Sequence, residues 1–362
     1  MNKKSIFVTQ PSLAPLEEYM EILSGVWDRG ILTHNGPLVQ QFENDLRDKL
    51  QLSNCVAVSN GTIAIQMAIK ALALKGEIIT TPFTWVATVS AIKWEGCTPV
   101  FCDIDPETLN IDPTKIEALI TENTVAIMPV HVFGNPCDVE VIEDIAKRHN
   151  LKVIYDAAHA IGSTYNGKSL LEYGDISATS LHATKLLSTA EGGCCVSTNA
   201  ELHEKLKRIR FFGHNDEKEI VLDGFNGKMT EVHAALGLAN LKYYDDVLKD
   251  RADKYNRYKH ALESNSDSQF QVMKHGQSNY SYFPIIFENE QRLLEVERAL
   301  NDENIFPRRY FYPSVNTYTK ILDYQNCPIS EDISQRILCL PHYKELQPEQ
   351  MHLITSVINS TW

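Results

Sequence analysis

The sequence predicts an α/β protein, with a mainly parallel sheet covered by helices on both faces and a smaller C-terminal α+β domain behind it. Three observations carry this. Short apolar, β-branched runs recur through the first half of the chain, and helix-period segments lie between several of them. From Thr230 the alternation gives way to one long helical stretch. Residues 1–240 therefore read as the large domain, which includes the N-terminal segment, and 241–362 as the small one.

The first element is GPLVQQFENDLRDKL (36–50), where Pro stands at a helix start; the helix is expected to pack on the large domain. The strands follow as CVAVSN (55–60), EIITTP (77–82), PVFCDI (99–104), VAIMPVHVFG (125–134), KVIYDAAHA (152–160), ISATSLHA (176–183) and GCCVST (193–198). They are apolar on both faces, as strands of a doubly covered parallel sheet must be. TIAIQMAIKALALK, WVATVSAIKWE, TKIEALITEN and DVEVIEDIAKRHN lie between them with helical spacing. TEVHAALGLANLKYYDDVLKDRADKYNRYKHALES then reads as one helix that carries the chain into the second domain. There SYFPIIF (281–287) reads as a strand, and RLLEVERALNDEN (292–304), SEDISQRIL and QPEQMHLITSVIN as helices. No internal repeat or low-complexity linker interrupts the series.

With 362 residues, 43% hydrophobic and 22% charged, the chain can bury a sizeable core. Lys and Arg total 34 against 47 Asp and Glu, a formal charge of −13 spread along the chain. That argues against a nucleic-acid partner, which needs a basic face, but leaves room for an anionic small molecule held by a few local donors. MNKKSIFVTQPSLAPLEEY has no apolar signal-peptide core, and no stretch reaches the ~20 apolar residues of a membrane helix. Eight cysteines without a C-x-x-C pair are expected to be buried, reduced thiols of a cytoplasmic protein.

Chemistry concentrates at strand ends. SLHATKLLSTAEGG (180–193) holds Lys185 between Ser180 and His182 on one side and Glu-Gly-Gly on the other; most lysines are solvated charges, so its meaning depends on its neighbours. In SNGTIAIQMAIKAL (59–72) a strand end, Gly61, Thr62 and a helix start make a phosphate site or an ordinary turn capped by Asn60 or Thr62. TTPFTWVAT (80–88) places Trp85 after a strand end, to stack on a flat cofactor or to fill the core. KVIYDAAHA ends its strand with Asp156, where α/β folds place ligand-contacting groups and where a simple Asx cap also fits. G-x-G-x-x-G, Walker, H-E-x-x-H and C-x-x-C patterns are absent, so no metal is expected. A phosphate-binding helix start, a stacking ring, a buried acid and a lysine on a tight loop together suit pyridoxal phosphate.

The pieces GPLVQQFE, SNGTIA, TPFTWVATVSAI, FCDIDPETLNID, IMPVHVFGNPCD, VIYDAAHA, SLHATKLLSTAEGG, GFNGKMTEVHAALGL and LCLPHY occur in an order that resembles the DegT/DnrJ/EryC1/StrS family of pyridoxal-phosphate-dependent sugar-nucleotide aminotransferases, over nearly the whole chain. The resemblance implies the type I aminotransferase fold with a seven-stranded sheet. It implies Lys185 as covalent anchor of the cofactor and as general acid/base, Asp156 on the pyridinium nitrogen, His159 near the phenolic oxygen and Trp85 on the ring. Gly61, Thr62 and Ser180 would hold the phosphate, and Asn226 would reach the phosphate of a neighbouring subunit, making a homodimer with shared active sites. L-glutamate is the implied donor and a nucleotide-linked keto-sugar the acceptor.

FPRRYFYPSVN (306–316) stands where many relatives have Tyr-x-Pro-Leu-His; Ser314 and Val315 depart from that pattern. The variant is similar to the branch that makes dTDP-4-amino-4,6-dideoxy-glucose from dTDP-4-keto-6-deoxy-glucose, in the setting of O-antigen or a related sugar. Arg308, Arg309, Tyr310, Tyr312 and His214 are the substrate-contact candidates, and His182 stays unassigned. Other readings are a different 3- or 4-keto sugar on UDP or GDP, the sugar 3-dehydratase branch, whose members have His in place of Lys185, and a non-catalytic binder or regulator.

Overall fold

The computed structural model describes residues 5–264 and 268–361. The chain starts with a short strand β1 (Ile6–Phe7), helix α1 (Leu16–Arg29) and helix α2 (Pro37–Leu50). The start of α2 is set by a distant carboxylate: fully buried Glu231 accepts the N–H groups of Leu38 and Val39 at 3.0 and 2.9 Å, which satisfies two of the helix's orphan donors. Gly36 makes this possible, since a Cβ there would meet that carboxylate at 2.7 Å.

Strands and helices then alternate: β2 (Val56–Val58), α3 (Gly61–Ala71), β3 (Glu77–Thr80), α4 (Val86–Trp94), β4 (Thr98–Phe101), β5 (Thr124–Met128), α5 (Val139–His149) and β6 (Lys152–Asp156). A small hairpin of β7 (Thr164–Tyr165) and β8 (Lys168–Ser169) precedes β9 (Ile176–Ser180), β10 (Gly193–Val196) and α6 (Ala200–Arg210). Seven strands form the large sheet in the order β2-β10-β9-β6-β5-β3-β4. Five of them, from β9 to β4, run parallel to their neighbours. β10 is antiparallel to both β9 and β2, because it follows β9 without a crossover helix. Its register, Gly193 opposite Ser180, places residues 181–192 as a closed loop at the carboxyl end of β9.

The strands bury both faces, as the apolar runs predict. Val153 and Tyr155 join a core with Phe42, Leu46, Ile142 and Leu238 from α2, α5 and a later helix, while Ile154 points into a second core with Met67, Ile92 and Leu206 from α3, α4 and α6. One predicted helix is missing: TKIEALITEN folds as two 3₁₀ turns, Pro113–Lys115 and Glu117–Leu119, and Ile120 is already extended. Ile116 is buried while Leu119 and Ile120 are covered only in part, too narrow an apolar stripe to hold a longer helix.

The long helix from Thr230 is two, α7 (Glu231–Leu241) and α8 (Tyr244–Leu262). α7 and the start of α8 pack on the large core, whereas Tyr258 and Leu262 at the end of α8 pack on a different one, and a break at Lys242 and Tyr243 lets the chain serve both. The remainder is β11 (Ser268–Phe270), β12 (Phe283–Phe287), α9 (Glu290–Asp302), β13 (Ile305–Phe306), α10 (Pro328–Arg336), β14 (Ile337–Leu340) and α11 (Pro348–Ser360). The order β11-β12-β14 makes an antiparallel sheet over a core of Tyr258, Phe283, Phe287, Leu293 and Ile354. SEDISQRIL is helical only to Arg336; its last two residues open β14. The first residues depart from their expected place on the large domain: β1 pairs in parallel with β13, and Ile6 is buried in the C-terminal core. All eight cysteines are free and buried. Among the described residues no helix is long and apolar enough to cross a membrane.

Candidate active site

Parallel strands end on one side of their sheet, and there the chain leaves a cavity of about 340 Å³. Asp156 reaches it from the end of β6, Ser180 from the end of β9, Trp85 from the turn after β3, and Gly61 and Thr62 from the start of α3. Arg308, Tyr310, Phe311 and Tyr282 close it from the C-terminal part.

One corner is built for an anion. Asn60 caps α3 by accepting the Ile63 N–H at 2.9 Å. Among the described residues the Gly61 and Thr62 N–H groups meet no acceptor, and they point from the positive end of the helix. Ser180 lies against them so closely that a Cβ on Gly61 would sit 3.0 Å from its Cβ.

At the opposite end Asp156 is 4% exposed. Its Oδ2 accepts the Thr88 hydroxyl at 2.7 Å and its Oδ1 the Ala158 N–H at 3.1 Å. Thr88 uses its one O–H as donor to Asp156, so at 2.8 Å it accepts from Thr84. Burial raises the Asp156 pKa, opposed by the Thr88 and Ala158 bonds and by the Lys185 charge. A buried carboxylate held on two oxygens in this way is suited to a cationic partner in the cavity.

Lys185 stands on the loop 181–192, which is pinned by Leu181 N–H to Gly192 O and Ala183 N–H to Ala190 O, both 2.8 Å. Its Nζ lies 3.3 Å from the Tyr282 hydroxyl. Burial lowers its pKa from 10.5 to about 8 against the pull of Asp156, so a usable fraction is neutral amine near neutral pH. His159 Nδ1 accepts the Phe133 N–H at 3.2 Å, which assigns its remaining proton to Nε2. Phe133 holds φ at 57° to aim that N–H, and the rings of Phe133 and Phe311 lie within 5° and 7° of the imidazole plane. Burial, then the Lys185 charge, drives the His159 pKa well below its ordinary value, so it is a neutral donor.

Trp85 is 51% exposed in the cavity wall. The Arg308 guanidinium lies 5.7 Å from its ring centroid and 4.8 Å from that of Tyr310. Neighbouring residues of an extended segment point to opposite sides, and Arg309 accordingly turns away, onto the Tyr312 ring at 3.5 Å and into an ion pair with Glu290 at 2.6 Å. Arg309 and Tyr312 thus lie outside the cavity. So do Asn226 and His214, on the segment between α6 and α7: Asn226 bridges to Phe211 and accepts from Lys228 at 2.5 Å, and His214 Nδ1 meets Phe211 O at 2.9 Å. His182 and Glu191 line the mouth, 3.7 Å apart. Sequence reasoning passed over Thr88, although TTPFTWVAT holds it one helical turn from Thr84, and over Tyr282, which SYFPIIF offered only as part of a strand.

This donor set fits pyridoxal phosphate: unpartnered amides at a helix start for the phosphate, a buried carboxylate for the ring nitrogen, and an amine of lowered pKa for the aldehyde. A sequence profile of the DegT/DnrJ/EryC1/StrS aminotransferase family matches residues 16–359. The chain is 45% identical over 363 residues to dTDP-4-amino-4,6-dideoxy-D-glucose transaminase of Shigella dysenteriae, spanning 98% of this chain and 99% of the relative. It is 36% identical over 366 residues to GDP-perosamine synthase of Escherichia coli O157:H7, spanning 98% of each. A solved structure of DesI in the presence of its TDP-sugar product superposes with a TM-score of 0.93 at 29% identity, over 99% of this chain and 93% of that one.

Proposed function

The chain belongs to the DegT/DnrJ/EryC1/StrS aminotransferase family, and from that premise we propose that it transfers the amino group of L-glutamate to dTDP-4-keto-6-deoxy-glucose, giving dTDP-4-amino-4,6-dideoxy-glucose. It is a pyridoxal-phosphate-dependent sugar aminotransferase. The choice of sugar rests on the 45% identity, end to end, with a transaminase named for that product.

When bound, pyridoxal phosphate supplies an electron sink for the pair left behind when a substrate carbon loses its proton. The chain supplies the rest. Gly61, Thr62 and Ser180 would hold the phosphate, and Asp156 would keep the ring nitrogen protonated. His159 would donate an Nε2–H hydrogen bond to the phenolic oxygen, and Trp85 would cover the ring. Lys185, whose amine has a lowered pKa, would be the residue that anchors the aldehyde and, as a free amine, the base that carries the proton leaving the substrate carbon. Arg308 faces the acceptor's diphosphate with a planar guanidinium held between two rings.

Asn226 acts across a homodimer in this reading. Its support is that Asn226 lies outside its own chain's cavity, on a segment with exposed Phe212, Ile220 (72% exposed) and Val221. That segment touches the 30s loop through His34 against Phe211 and Arg210 to Asn35, beside exposed Ile31 and Leu32 and near exposed Trp27 at the end of α1. Buried thiols and a sugar-nucleotide substrate support a cytoplasmic setting, and surface polysaccharide such as O-antigen is the natural use of the product. The likeness to GDP-perosamine synthase supports a second reading, a GDP-linked 4-keto sugar. Product analysis with dTDP-, UDP- and GDP-linked keto-sugars decides between them: the proposal requires the dTDP substrate to be preferred, and preference for GDP establishes the second reading.

A further inference from the structure

We infer that Tyr282 is a positioning residue for the reactive lysine, its hydroxyl holding the Lys185 amine whenever that amine is not covalently engaged; this rests on the reading of the site proposed above. Among the described residues, Lys185 Nζ and Tyr282 Oη are each other's one hydrogen-bond partner, at 3.3 Å. Tyr282 is 6% exposed, and burying a hydroxyl costs free energy unless it is used. Phenylalanine would fill the same space, so packing does not account for the oxygen; its partner does.

The hydroxyl is fixed in place from two sides. Asn279 donates to the carbonyls of His159 and Ile161 at 2.7 Å each and accepts the Ser281 N–H at 3.1 Å, tying this segment to the loop that carries His159. Buried Arg251 donates to Ser281 O at 2.9 Å. The ring is packed by His159, Phe133 and Tyr310, with centroids at 4.8, 5.3 and 5.8 Å. A phenol both donates and accepts. It therefore accepts from the ammonium and donates to the neutral amine, and the contact survives the proton exchange that Lys185 performs. A free lysine stem otherwise samples many rotamers in a cavity where its amine must meet one carbon.

The other titratable groups around that amine are Asp156 at the end of β6, His159 on the next loop, and His182, Glu191, Arg308 and Tyr310 in the cavity wall. Phenylalanine at 282 leaves all of them in place and takes one acceptor from a half-buried ammonium, which disfavours the charged form. The test compares full-length wild type, Tyr282→Phe, Tyr282→Ala and Lys185→Ala, stripped of cofactor. Covalent capture of added pyridoxal phosphate is followed by absorbance across pH, then turnover with L-glutamate and the keto-sugar. Tyr282→Phe is expected to melt like wild type, with the midpoint of its capture profile lower by about half a pH unit or more. Its kcat is expected to fall about 10-fold, with both KM values within about twofold. A Tyr282→Phe protein equal to wild type in capture profile and kcat, with only Tyr282→Ala impaired, reduces the role to ring packing and overturns the inference. Capture that persists in Lys185→Ala overturns instead the reading of the site beneath it.

Discussion

Asp156 shows how a single side chain is prepared for its task. Burial works against its charge, and the Thr88 hydroxyl, the Ala158 amide and the nearby lysine work for it. Asp156→Asn removes the negative partner of a ring cation, and turnover is expected to fall at least about 100-fold, since breaking a buried charge pair costs about 3–5 kcal/mol. Thr88→Val removes one bond to the same carboxylate and is expected to cost about 10-fold; steady-state kinetics on both variants checks the ranking. The lysine sets the pH dependence. In the proposed role its neutral form is the nucleophile, and its pKa is lowered from 10.5 to about 8, so covalent capture of pyridoxal phosphate by the cofactor-free protein should rise with pH through a midpoint near 8. An ordinary exposed lysine would place that midpoint more than two units higher. Lys185, Asp156, Gly61, Thr62, Ser180 and Trp85 could be offered as candidates because each stands at or just after a strand end, and the cavity lining includes all six. Thr88 and Tyr282 were not, because their meaning lies in partners 68 and 97 residues away.

Among the elements, the start of α3 carries the proposed anion site and the start of α2 a structural counterpart, with Glu231 as its acceptor. A Gly61→Ala methyl would press on Ser180 Cβ at 3.0 Å, beside the amides proposed for phosphate. Cofactor affinity, read by equilibrium dialysis, is expected to weaken by roughly 10-fold, with the fold intact. Glu231→Ala strips two donors of α2 of their acceptor and also unpairs Arg29, 3.7 Å away. It is expected to lower stability by about 2–4 kcal/mol, read as a drop in melting temperature. The sheet strands were readable because burial on both faces leaves a continuous apolar run. TKIEALITEN misled because its spacing is helical while the fold offers it little surface to cover. The break between α7 and α8 carries no Pro or Gly; Lys242 and Tyr243 stand there, and only the demand of two separate cores requires it.

For the whole molecule, the site is shared between the parts. The large sheet presents the residues proposed to hold the cofactor, while Tyr282, Arg308, Tyr310 and Phe311 come from the C-terminal part. Across two copies, the dimer reading makes a specific demand. Lys185→Ala and Asn226→Asp proteins, each nearly inactive alone, should regain activity when unfolded together and refolded, because a hybrid dimer holds one site intact in both residues; a mixture no more active than its components removes Asn226 from the partner's site. The acidic charge of the chain, which argued against nucleic acid, is compatible with a sugar diphosphate because Arg308 and the α3 amides act locally. The most direct measurement is an absorbance titration of the cofactor-loaded protein. L-glutamate should abolish the near-ultraviolet to visible band of the lysine-bound cofactor, and dTDP-4-keto-6-deoxy-glucose should restore it with release of the 4-amino sugar. A band indifferent to glutamate, or one restored by no nucleotide-linked keto-sugar, would contradict the account.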